Sequence, residues 1–343
     1  MSKKYLLKQV MQWLVCIIAG FFIANIVCFV YERPVGWHDT PCGATGAVRE
    51  PGAILIHGTE GYSVTKIDRN GYTNPDKELA DNYVLMMGAS HTQGKEISTD
   101  KKYSVLVDNY LSTDDKLHTY NISCDGNFLP AQIKHFKAAM QAFPNASIVT
   151  IEIPSTDYSV DELENAAEQP EYNCADSSDY FSNLSYMEKI KNNIKDYVPL
   201  ISLIKNKMET SKKSQLENKT NTAVDYDEYA RVINKDLRLI RSEFDKKIVF
   251  IYHPDVKLEE NGNLTLVYSD TWVMFKDACV ANNIDIIDSG NDFCDYFEKN
   301  HKVPYGFFNT SLGNGHLNEV GHKIIADEVI EYLEDNNSEL LFN

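Results

Sequence analysis

Basic side chains are scarce in this chain. Its 343 residues carry 33 Lys and Arg against 50 Asp and Glu, a formal net charge of -17. Such a chain lacks the clustered cations that neutralise phosphates, which argues against a nucleic-acid partner. Metal-binding spacing is lacking as well, because none of the 7 cysteines forms a C-x-x-C pair. Neither a zinc-binding pattern nor a disulfide scaffold is indicated. Cys16 and Cys28 fall in an apolar run, whereas Cys42, Cys124, Cys174, Cys279 and Cys294 lie beyond it. They read mostly as free buried thiols, with a Cys279–Cys294 bridge as the conceivable exception. No metal site and no cofactor are expected. Repeats of fixed period and low-complexity tracts are also absent, which excludes solenoids and arrays.

One long apolar run is present. Residues 13–31 read WLVCIIAGFFIANIVCFVY, interrupted only by Asn25. A helix needs about 20 such residues to cross a bilayer core. Trp13 and Tyr31 occupy interfacial positions, and Lys3, Lys4 and Lys8 precede the run. The positive-inside rule then puts the amino terminus in the cytoplasm and the chain from about residue 32 outside. A cleaved signal peptide fits poorly, since no small-x-small site follows. Val27 before Cys28 disfavours a lipoprotein cysteine. The expected location is therefore the cell membrane, with a single pass and an extracytoplasmic domain.

Three regions follow: tail and anchor at 1–31, a lead-in at 32–80, and the main domain at 81–343. In the lead-in, residues 61–71 alternate apolar and polar side chains and end on Asn70-Gly71. That pattern predicts a strand, a tight turn and a small hairpin. From residue 82 onward, strands are predicted at 83–88, 118–123, 147–153, 247–253 and 284–288. Helices at 103–111, 131–143, 271–282 and 320–333 alternate with them. This rhythm indicates a parallel sheet covered by helices on both faces. A polar insertion at about 158–243 carries helical patches at 187–204 and 226–244 and an exposed loop at 205–224. It reads as a lid, a docking surface or a helical elaboration.

The chemistry-bearing residues sit at the ends of these strands. Ser90 follows the run YVLMMG, where open α/β sheets place their reactive groups. A serine hydroxyl needs a general base within hydrogen-bond reach, and oxyanion donors for its tetrahedral intermediate. His316, just before the last predicted helix, is a plausible base. The backbone amides of Ser90 and Gly126 are candidate oxyanion donors. His91 and Gln93 beside Ser90 read as helix-start residues that could contact substrate. His322, six residues after His316, reads as helix surface or packing and not as a ligand.

Gly88-Ala-Ser90, Asp125-Gly126, Ser155-Thr-Asp157 and Gly315-His-Leu-Asn318 with Gly321 resemble the four spaced blocks of the SGNH (GDSL-type) hydrolases. The resemblance spans about residues 80–335, interrupted by the insertion. It implies a flavodoxin-like three-layer α/β/α sandwich and hydrolysis or transfer of ester-linked acyl groups. It also implies Ser90 as nucleophile, His316 as base, and Ser90, Gly126 and Thr156 around the oxyanion. Departures are visible. Ala89 replaces the usual Asp of the first block, and Thr156 stands for the usual Asn of the third. The position three residues before the histidine, where the family keeps its acid, is Gly313. A backbone carbonyl, or Asp288 or Asp292 from elsewhere, is left to orient His316; Asp157 is a pocket or turn residue.

The functional expectation is a membrane-anchored serine esterase acting on O-acyl, chiefly O-acetyl, groups of glycans or cell-envelope polymers. Two alternatives stand beside it. One is an O-acyltransferase working with a membrane-bound O-acyltransferase; the other is a degenerate SGNH scaffold used for binding or assembly.

Overall fold

The computed structural model describes residues 3–39, 46–75, 79–112, 117–167, 177–201, 203–204 and 225–336. The expected loop at 205–224 lies outside the described residues, as do Cys42 and Cys174. Among the described residues Cys16, Cys28, Cys124, Cys279 and Cys294 form no disulfide.

The run YVLMM becomes β5 (Tyr83–Met87), buried at every position. An extended strand sends successive side chains to opposite faces, so complete burial requires cover on both sides. Tyr83, Leu85 and Met87 enter one core with Val149, Ile151, Phe250 and Tyr252. Val84 and Met86 enter a second core with Ile148, Val249 and Ile251. The neighbouring strands are β6 (His118–Asn121), β7 (Ala146–Ile153), β8 (Lys247–Tyr252) and β11 (Asp285–Asp288). All pair in parallel in the order β11-β8-β7-β5-β6. Counted along the chain within this sheet, the order is 2-1-3-4-5, the flavodoxin-like arrangement.

Helices α4 (Leu129–Ala142), α5 (Val160–Ala166), α8 (Tyr226–Glu243) and α9 (Trp272–Ala281) line the first core. Helices α3 (Tyr103–Leu111), α10 (Gly290–Asn300) and α11 (Glu319–Asn336) line the second. The result is a three-layer α/β/α sandwich. The short α2 (Ser90–Gln93) follows β5, while α6 (Ser177–Asn183) and α7 (Tyr186–Tyr197) lie between α5 and α8. Helix α1 (Lys3–Tyr31) is long and apolar enough to cross a membrane, with no part of that apolar stretch buried.

Three sequence expectations change. The lead-in hairpin pairs β3 (Ile54–His57) with β4 (Ser63–Lys66), so β4 folds back on the strand before it. Asn70-Gly71 makes a separate turn, in which Asp68 Oδ1 accepts from the amides of Asn70 and Tyr72. A shorter pair joins β1 (His38–Asp39) to β2 (Ala47–Val48). The second change concerns the insertion. Tyr229, Val232, Ile233, Leu237 and Ile240 of α8 are buried in the first core, so α8 belongs to the sandwich. Third, an unforeseen hairpin, β9 (Asp255–Leu258) with β10 (Leu264–Val267), follows β8.

Phe250 is fully buried in β8, edge-on to Phe275 at 5.0 Å between ring centres. Phe250→Ala is expected to lower stability by about 3–5 kcal/mol. Val273→Ala, at a position 60% exposed on α9, should change it by no more than about 0.5 kcal/mol. Denaturant titration of the two variants checks this contrast.

Candidate active site

Strand order reverses about β5, which has β6 on one side and β7 on the other. At such a switch point the loops after neighbouring strands diverge and leave a crevice at the carboxyl ends. Ser90 stands there. A β-carbon on Gly88 would lie 2.0 Å from Thr92 Oγ1 and 2.7 Å from Glu152 Oε2, so only glycine lets the turn close. Glu152, near the end of β7, is completely buried. Its Oε2 accepts from the Ala89 amide at 3.0 Å and from Thr92 Oγ1 at 2.8 Å. Its Oε1 is 2.7 Å from His253 Nε2, and His253 Nδ1 is 2.7 Å from the Tyr305 hydroxyl. Burial acts to raise the Glu152 carboxyl, but the hydrogen bond and charge of His253 and the bonds from Thr92 and Ala89 hold it below its ordinary value.

His316 comes from the loop before α11. Gly306 donates its amide to the His316 carbonyl at 3.0 Å, and Asn318 donates its amide to Pro304 at 2.9 Å. Asn318 Oδ1 then accepts from the amides of Val320 and Gly321, capping α11. So held, His316 Nε2 stands 2.9 Å from Ser90 Oγ. The acid behind it is Glu60, from the lead-in. Glu60 Oε2 lies 2.6 Å from His316 Nδ1, and Oε1 accepts the His316 amide at 2.7 Å. Gly315 has φ 90, and a β-carbon there would fall 2.2 Å from Glu60 Oε1; glycine makes room for the carboxylate.

These contacts set the proton positions. Burial pulls Glu60 upward, yet the His316 side-chain and backbone bonds hold it below its ordinary value, as a carboxylate. A carboxylate only accepts, so Nδ1 carries the proton and Nε2 offers its lone pair to the Ser90 hydroxyl. Burial alone would lower the His316 imidazole. The Glu60 hydrogen bond and the charges of Glu96 and Glu60 outweigh it and raise the imidazole above its ordinary value. Glu96, only 1% exposed, has Oε1 3.6 Å from Nδ1. Glu60, Glu96 and His316 also place potential metal-ligand atoms within 4.8 Å of one another. Nδ1 and Glu60 are already bonded to each other.

The other expected residues fall as follows. The Ser90 amide opens α2, and Gly126, with φ 83, lies in the exposed loop after β6. Thr156 does not serve as drawn from the sequence. It is fully buried, its hydroxyl pairs with Thr271 Oγ1 at 2.9 Å, and its amide donates to Ser269 Oγ at 3.0 Å. Asp157 accepts from Thr271 and Asp270 in a turn contact. Neither Asp288 nor Asp292 orients His316. Asp288 Oδ1 binds the Tyr268 hydroxyl and the Gly290 amide, and Asp292 sits in the first turn of α10 beside Glu328. His91 Nδ1 accepts the Leu317 amide at 3.2 Å, while Gln93 is fully buried. His322 is a packing residue; buried against Tyr103, it accepts that residue's amide and is pushed down to about 3.

Sequence reasoning missed Glu60, which bonds a histidine 256 residues away. The available signal was its place in His57-Gly-Thr-Glu-Gly61, a polar glycine-flanked stretch immediately before the hairpin predicted at 61–71.

No protein-family model and no curated protein matches the chain. Solved structures do show a likeness. An acetyl xylan esterase, AlAXEase, is 15% identical over 73% of this chain and 99% of its own, with a TM-score of 0.41. A protein of the G-D-S-L family from Desulfitobacterium hafniense is 10% identical over 73% of this chain and 98% of its own, with a TM-score of 0.34. A peptidoglycan O-acetylesterase is 10% identical over 64% of this chain and 46% of its own, with a TM-score of 0.33. Likeness this distant leaves the chemistry to be read from the site itself.

A fluorophosphonate, which labels an activated serine, checks the proton assignments. Labelling should rise with pH through a midpoint above 6.5, because a raised His316 must lose its proton before it can serve as a base. Glu60→Gln should slow labelling at least about tenfold and move that midpoint downward. A midpoint that does not move would mean that Glu60 does not govern His316.

Proposed function

We propose that this protein is a membrane-anchored serine esterase of the SGNH type. Its substrates are O-acyl groups, chiefly O-acetyl, of glycans or cell-envelope polymers on the outer side of the membrane. The observation that carries the reading is the unbroken hydrogen-bonded chain from Ser90 through His316 to Glu60.

The steps follow from that chain. Ser90 Oγ attacks the ester carbonyl carbon as its proton passes to His316 Nε2. Glu60, bonded at Nδ1, stabilises the imidazolium that forms. The tetrahedral oxyanion is held by the amides of Ser90 and Gly126. His316 returns the proton to the departing alcohol oxygen, the carbon–oxygen bond breaks, and an acyl-serine remains. Water, deprotonated by His316, then attacks the acyl-serine and releases the acid and free Ser90. The outward-facing placement is supported by Lys3, Lys4 and Lys8, which precede the apolar run in the first turns of α1, and by the length of that helix. A degenerate binding scaffold loses part of its motive, because Glu60 fills the role that Gly313 leaves open.

The test compares the full chain in detergent with Ser90→Ala on a small acetyl ester. The loss of general-base and oxyanion catalysis predicts a rate at least about a thousandfold lower for the alanine variant. Mass spectrometry of the quenched wild-type reaction should find the acetyl group on Ser90. Equal rates in the two proteins would sink the esterase reading. An acetyl-serine that turns over only when a glycan is added would replace the esterase by the transferase.

A further inference from the structure

The loop that carries Glu60 is fastened to the end of the apolar helix. Glu32, the first residue after α1, is 7% exposed and turns inward. Its Oε1 is 3.1 Å from His57 Nδ1, and its Oε2 accepts the amides of Gly58 at 2.8 Å and Thr59 at 3.2 Å. A β-carbon on Gly58 would lie 2.3 Å from the Tyr31 carbonyl oxygen, so the loop crosses directly over the last turn of α1. Tyr62 donates its hydroxyl to the Val30 carbonyl at 3.2 Å, and Arg33 pairs with Ile56 through two backbone bonds. The far side of the loop is clamped by Asn309. It accepts from the Gly61 amide and donates to the carbonyls of Gly58 and Gly61.

Glu60 is held between these two clamps, immediately after Thr59 and before Gly61. A buried carboxylate is expensive unless its oxygens are satisfied. For Glu32, burial acts to raise the carboxyl, but His57 and the Gly58 and Thr59 amides outweigh it and hold Glu32 below its ordinary value. None of the chemistry uses this ionised group. What its bonds do is fix the backbone one residue before the carboxylate that orients His316.

We propose that Glu32 is a positioning residue for the Glu60–His316 pair, so that the end of the apolar helix sets the geometry of the active site. This rests on the Ser90–His316–Glu60 reading above. Anchor and catalytic loop are then one unit, and the site stands where the helix leaves the membrane.

The test uses the full chain in detergent, with a soluble acetyl ester and a pH profile of kcat/KM. Glu32→Ala should lower kcat at least about tenfold with KM within about threefold, because the loop no longer holds the acid. It should also move the acid-side midpoint down, since His316 loses part of its partner. His316 also faces Glu96, Lys95, Asp125, His91 and His322, and Glu60 also faces His57. Substitution at residue 32 leaves the groups facing His316 in place and removes the carboxylate partner of His57, which loosens the same loop. If Glu32→Ala does not fold, Glu32→Gln, which keeps one acceptor for the amides, is read the same way with a smaller drop. A kcat within about threefold of wild type, or a drop with an unmoved midpoint, overturns the proposal. Ser90→Ala in the same assay separates the failures. Activity surviving in Ser90→Ala defeats the underlying reading, whereas an inactive Ser90→Ala beside a fully active Glu32 variant defeats only the role of Glu32.

Discussion

One buried carboxylate holds the crevice together. Glu152 reaches from the end of β7 to the turn after β5 and to His253 just beyond β8, joining three neighbouring strands of the sheet. Desolvating a carboxylate costs several kcal/mol, offset here by hydrogen bonds to both of its oxygens. Through His253 the network continues to Tyr305, which donates to the Pro254 carbonyl at 2.9 Å. Tyr305 belongs to the segment that pairs with the His316 loop. The positions of Ser90 and His316 are thus both referred to a single side chain that touches neither.

Three carboxylates near the site differ because their surroundings differ. Glu152 has both oxygens bonded in a dry interior and acts as a fixed brace. Glu60 is partly open and spends both oxygens on one histidine, which suits it to stabilising a charge that comes and goes. Glu96 is as buried as a core residue, and among the described residues neither of its oxygens meets a hydrogen-bond partner at normal geometry. Burial raises its carboxyl, while the nearby His316 pulls the other way. Divergent environments around neighbouring acids are what separate a scaffold group from a working one.

The sandwich was legible because its signals are local. Runs such as YVLMM and KIVFIY are short, continuous and apolar, and β-strands buried on both faces demand that pattern. The contact between Ser90 and His316 was legible for a related reason: each sits in a short block whose glycines mark where backbone must pass close or turn sharply. Asp288 and Asp292 were reasonable acids on sequence order, but their side chains serve the β11–α10 junction. Thr156 could not be judged from its identity. Its donors are consumed by Ser269 and Thr271, more than a hundred residues away along the chain. Helix α8 was misplaced because its charged outer face resembles a solvent-exposed insertion, whereas a stripe from Tyr229 to Ile240 closes the first core.

Glu60 failed to show itself for a deeper reason. An acid three residues before its histidine is a spacing, and spacing can be read in a sequence. An acid supplied from a loop ahead of the sheet is a tertiary contact, and its local traces are the glycines that flank it and Gly315 at the receiving end, where a side chain would strike the carboxylate. The lead-in therefore cannot be treated as a tether between anchor and domain. It packs its own small core of Val35, Leu55 and Ile67 and hangs the Glu60 loop between Glu32 and Asn309. Moving the acid from the histidine's own loop to this segment leaves the sandwich unchanged and makes the geometry at His316 depend on residues next to the apolar helix.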